Sequence, residues 1–191
     1  MDFSGVCIVG LVVTGVATLG FFGANDNFRA AVDRAVAPMK VPERRWCGYS
    51  AQDLNEFRIA ALKQPTAFGK SALDLYRDRV LLVDMGFAVA LGFFSLLSWV
   101  VATQQAGSSL VSFLAMFCGM AGAIYGLSDL GEDIILRMLL QPGRAIRDDD
   151  AKRATALTLL KFATICISIV GAIVFALLSI VFKAMPSSAK S

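Results

Sequence analysis

Four carboxyl-bearing residues stand in or beside stretches apolar enough to cross a membrane: Asp84, Asp129, Glu132 and Asp133. Inside a spanning segment a carboxylate costs about 2.5–3.5 kcal/mol on insertion scales, so it faces protein or water and takes a partner. Such residues carry protons or cations, or they close ion pairs that clamp helices together. The candidate partners are Arg79, Lys161, Tyr125 and Ser128. A turn centred between Gln105 and Ala106 makes residues level across the second and third spans when their numbers sum to 211. That register sets Asp84 level with Leu127, within reach of Tyr125 or Ser128. It also sets Arg79 level with Glu132, and Asp74 level with Arg137. Across the next loop a sum near 290 sets Lys161 level with Asp129. Each acid except Asp84 and Asp133 thus has a basic partner, which favours a clamp at the membrane rim. Asp84 keeps a proton or cation site open as the alternative.

Other chemistries find less support. The chain has no histidine, which removes imidazole bases, bis-histidine haem and histidine-bound zinc. Cys7, Cys47, Cys118 and Cys166 are scattered without a CxxC spacing, so neither a disulfide framework nor a thiolate metal site is expected. Gly69-Lys70-Ser71 matches the end of a phosphate-binding loop, but Gln64-Pro65 stands where the motif needs its first glycine. Asp148, Asp149 and Asp150 point different ways if helical and suit a helix N-terminus better than a cation cage. No cofactor motif is present. A net charge of +3 is too small to argue for nucleic acid.

The elements that position the acids are apolar helices. The chain is 57% hydrophobic, and the excess lies in four runs. From Ser108 to Asp133, every third or fourth residue is small (Ser112, Ala115, Gly119, Gly122, Gly126) before the stripe turns acidic. Beside it runs a bulky stripe of Leu110, Phe113, Phe117, Met120, Ile124 and Leu127. One face suits lipid and the other close helix packing. Gly122 and Gly126 form a GxxxG pattern, assigned to packing within the bundle ahead of homodimerisation.

The expected fold is an all-α integral membrane protein, four transmembrane helices in an antiparallel bundle with a small helical cytoplasmic cap between the first two. Residues 1–25 form the first span. Residues 26–78 form the cap, with helices near 26–37 and 50–63 and capping starts at Ser50 and Ser71. Residues 79–140 form a hairpin of two spans with a cytoplasmic extension, 141–186 a short loop and the fourth span, and 187–191 a polar tail. No leader is expected, because only Met1 and Asp2 precede the first run.

Arginine and lysine set the orientation. The segments before the second and fourth spans carry 10 and 6 of the 18, and the opposite side carries Lys183 and Lys190. Both long loops are therefore expected in the cytoplasm with both termini outside, in a cytoplasmic (inner) membrane of the bacterial kind. The leading expectation is a non-enzymatic accessory or scaffolding subunit whose partners are the bilayer and other membrane proteins or itself. A small proton- or cation-coupled transporter is second, and a lipid-headgroup enzyme third.

Overall fold

The computed structural model describes residues 3–45, 47–104 and 109–184. The turn at 105–107, Trp46, Ser108 and the tail at 187–191 lie outside the described residues, as does the side chain of Leu110. Among the described residues there are helices and no strands. Four helices are long and apolar enough to cross a membrane, and they pack side by side. The chain is a multi-pass, all-α membrane protein.

Helix α1 (Phe3–Val36) joins the expected first span and the expected cap helix near 26–37. Its 34 residues form one helix, with no break where the first span was expected to end at residue 25. Neither proline nor glycine occurs between Ala24 and Val36, so nothing interrupts the ladder until Pro38. At about 1.5 Å per residue the helix is about 50 Å long, against roughly 30 Å of hydrocarbon. The excess projects as part of the cap, and Asn25 and Arg29 are carried on a rigid rod.

A 3₁₀ turn (Pro42–Arg44) leads to α2 (Ala51–Lys63), which starts in the expected capping box of Ser50 and Asp53. Ser50 also lowers the carboxyl pKa of Asp53, since the bonds it donates favour the ionised form. Ser71 caps α3 (Ala72–Leu75), so the Gly-Lys-Ser triplet ends in a helix cap. Through a π-helical turn (Tyr76–Val80), α3 continues into α4 (Leu81–Gln104), the uninterrupted run anticipated for the second span. Helices α5 (Ser109–Leu139) and α6 (Asp148–Ala184) complete the bundle, and Asp148–Asp150 occupy the first turn of α6 as expected. Each of α1, α4 and α5 packs on the next in that order, and α5 on α6.

The cap has a core of its own. Val32 and Val36 of α1, Leu54 and Phe57 of α2, Leu73 and Tyr76, Leu136 and Leu139 of α5, and Ala151 and Ala154 of α6 are all buried together. Arg58 ties α2 to the loop after α5 by donating to the Arg144 carbonyl. Every long helix contributes to this layer, so the cap and bundle share one foundation.

The α4–α5 contact is a close backbone approach. A Cβ on Gly126 would lie 2.8 Å from the Ala88 carbonyl oxygen and 3.1 Å from Gly92 Cα. One on Gly122 would meet Ser95 Oγ at 1.9 Å, and one on Gly119 would meet Trp99 Cβ at 2.9 Å. The small stripe therefore faces the bundle, while Phe113, Phe117, Met120, Ile124 and Leu127 are exposed on the other side. The contacts also correct the hairpin register. Gly92 with Gly126, Ser95 with Gly122 and Trp99 with Gly119 have numbers summing to 217 or 218, against the expected 211. Small residues that admit one alignment set the level, rather than the middle of the turn. Between α5 and α6 the expected sum of 290 holds, with Lys161 on Asp129 and Thr158 on Glu132.

Candidate functional site

The acids of α4 and α5 meet just beneath the cap. Asp84, Asp129 and Asp133 each place a carboxyl oxygen within 4.8 Å of the other two, and all three are buried. The corrected register explains this, because it brings Asp84 to the level of Asp133 instead of Leu127. Glu132 lies one helical step away and is fully buried.

Two bases enter the cluster. Lys161 on α6 sets its Nζ 2.7 Å from Asp129 Oδ1 and 2.6 Å from Glu132 Oε2. The expected Lys161–Asp129 level is thus met, and the same ammonium serves a second acid. Arg29 on α1 sets Nη2 3.1 Å from Asp84 Oδ1, and Asn25 one turn earlier donates Nδ2 to the same oxygen at 3.0 Å. Asp84 was expected to have no basic partner, and the unbroken α1 supplies one. Tyr125 donates to Asp129 Oδ2 at 3.1 Å, along its own helix, and so takes the acid one turn on in place of Asp84. Arg79, expected opposite Glu132, is exposed on the π turn outside the cluster. The shifted register moves Glu132 away from its level, and Lys161 takes the role. Asp74 accepts from Ser71 at 2.7 Å, while Arg137 is exposed.

From the cap side Tyr49 reaches down, its hydroxyl donating to Glu132 Oε1 at 3.1 Å. Thr158 donates to the same oxygen at 2.6 Å. The Tyr49 loop is pinned on α6 by one side chain, since Thr155 Oγ1 accepts from the Tyr49 amide at 3.0 Å and donates to its carbonyl at 2.8 Å. Gly48, at φ +80°, makes this seat possible, since a Cβ there would fall 2.2 Å from Thr155 Cγ2. Burial raises the Tyr49 phenol pKa far above its ordinary range, and the Glu132 charge adds to the effect. The hydroxyl is a neutral donor at any physiological pH.

Charge bookkeeping gives the site its character. Four carboxyls (Asp84, Asp129, Glu132, Asp133) gather here, with Arg29 on Asp84 and Lys161 on Asp129 and Glu132. In apolar surroundings an ionised carboxyl costs several kcal/mol unless another charge offsets it. A proton or a bound cation lowers that cost. The three clustered aspartates have the oxygen spacing to hold such a cation.

Toward the other membrane face the polar chain is short. Ser95 and Ser168 hydroxyls lie 3.2 Å apart, and Trp99 Nε1 donates to Ser168 at 3.4 Å. Next come Ala115, Cys118 and Phe175 around Trp99. Compared with known protein families, curated proteins and solved structures, the chain matches none.

Proposed function

We propose that this multi-pass membrane protein is non-enzymatic and that its working part is the buried carboxyl cluster, which takes up protons or a small cation from the cytoplasmic side. The observation that carries this is the meeting of Asp84, Asp129 and Asp133 within 4.8 Å in a buried site, with Glu132 buried beside them. The distribution of 16 arginines and lysines against 2 supports a cytoplasmic cap and termini outside. Uptake then occurs from the cytoplasm, in coupled transport or as a signal to neighbouring proteins.

A second reading, an accessory subunit that associates with other membrane proteins or with itself, is favoured by the apolar packing beyond Trp99 and Ser168. One experiment separates the two. The protein is reconstituted in vesicles under proton, sodium or potassium gradients, alongside Asp133→Asn checked for folding by circular dichroism and gel filtration. Wild-type flux that vanishes in the folded variant supports coupled transport. Absence of flux, together with absence of a protonated-carboxyl infrared band or cation-dependent stabilisation in the wild type, removes the uptake reading and leaves the accessory one.

A further inference from the structure

We propose that protons reach the cluster through a surface cleft beside Cys47 and are handed inward by the Tyr49 hydroxyl. This rests on the reading of the cluster as a proton-binding site and names its way in. The cleft, about 400 Å³, lies between the cap loop and the start of α6 and is lined by Cys47, Tyr49, Ser50, Asp148, Lys152 and Thr155. Cys47, Ser50, Asp148 and Lys152 are exposed, so the cleft is open to solvent. Tyr49, in the same lining, is only 6% exposed.

Inward from Tyr49 the polar atoms lie close to one another. The phenol donates to Glu132 Oε1 at 3.1 Å, and Glu132 Oε2 lies 2.6 Å from Lys161 Nζ. The same Nζ lies 2.7 Å from Asp129, one of the three clustered aspartates. The step at Tyr49 balances simply. A proton from cleft water bonds to the phenol oxygen as the phenol's own proton passes to Glu132 Oε1, and Tyr49 is neutral before and after. Its high pKa agrees with this, since a free phenolate is never needed. Thr155 and Gly48 hold the loop so that the hydroxyl stays aimed at the carboxylate. The charged groups around this step are Glu132 and Asp133 on α5, Lys161, Lys152 and Asp148 on α6, and the Arg45–Asp53 pair at the start of α2.

The test follows the infrared band of protonated carboxyls after a rapid pH drop, on the full chain in detergent. Tyr49→Phe keeps the ring and removes the relay. The band should reach its wild-type amplitude, with a rate lower by on the order of 100-fold, as expected when a positioned proton donor is lost. A second arm needs no change at Tyr49. A charged, disulfide-forming thiol reagent on Cys47 fills the cleft and should slow uptake in the wild type, reversibly with reductant, and not in Cys47→Ser. Wild-type rates in both arms would overturn the route while leaving the cluster intact. A rate that responds instead to Arg29→Lys, where the side chain is 20% exposed, would move the route to α1 and also overturn it. Absence of any protonated-carboxyl band in the wild type would fail the underlying reading of the cluster.

Discussion

Replacing Lys161 by methionine removes the one ammonium that Asp129 and Glu132 share while nearly conserving volume. The three side chains are 7%, 3% and 0% exposed, and the two contacts measure 2.7 and 2.6 Å. Solvent cannot stand in for the lost charge. Removing one member of a buried pair costs about 3–5 kcal/mol, and here two carboxyls are left behind, so about 4–5 kcal/mol is expected at mildly alkaline pH. The orphaned carboxyls can shed their charge by binding protons, so the cost should shrink as pH falls. Combining Lys161→Met with Asp129→Asn should cost less than the two single changes added, by about 1–3 kcal/mol. Reversible unfolding in mixed detergent, measured across a pH series, reads all three quantities. A cost below about 1 kcal/mol, the size of an exposed pair, would refute the account of the site as a desolvated cluster. So would a penalty that does not change with pH.

Four further outcomes are expected. Gly126→Ala should destabilise by about 2 kcal/mol, because its Cβ meets the Ala88 carbonyl and Gly92 Cα, while Gly23→Ala, which meets nothing within 4 Å, should not; thermal melts in detergent compare them. Asp84→Asn should cost about 2 kcal/mol by removing the charge that Arg29 and Asn25 bind, where Asp84 without such partners would have tolerated the change; the same unfolding assay decides it. Cys47 should resist an impermeant thiol reagent in intact cells and react once the membrane is opened, and labelling from outside would reverse the orientation. The raised phenol pKa of Tyr49 gives a sign at high pH. Its contribution is present below about pH 10, where both states hold the proton, and declines above it as the unfolded chain alone releases the proton. Tyr49→Phe should flatten that alkaline slope in the unfolding assay.

Local patterns were legible where one helix decided them. The stripe from Ala115 to Gly126 is buried as its spacing requires, and the α5–α6 level placed Lys161 on Asp129 from residue numbers alone. The α4–α5 level was not legible, because the pairing of Gly92 with Gly126 fixes it and depends on how closely two backbones approach. That error hid the meeting of Asp84 with Asp133 and assigned Arg79 to Glu132. Asn25 and Arg29 carried a readable signal, one turn apart and on one face, but ending the span at residue 25 placed Arg29 among loop charges. Thr158 also satisfies the 290 sum with Glu132 and was within reach of the same reasoning. Tyr49 had no local signal. Its role comes from a loop that Gly48 and Thr155 fold back over α5, 83 residues away in the chain from Glu132.

The division of the bases between the first and last helices has a consequence for biosynthesis. Translation delivers Arg29 before Asp84, so the acid of α4 finds its guanidinium already made. Asp129 and Glu132 are synthesised before Lys161, 32 residues after Asp129. Until α6 packs on α5, these two acids lack the ammonium they share in the finished bundle. A chain cut short in the loop after α5 would therefore carry into the membrane the cost that the last helix exists to offset.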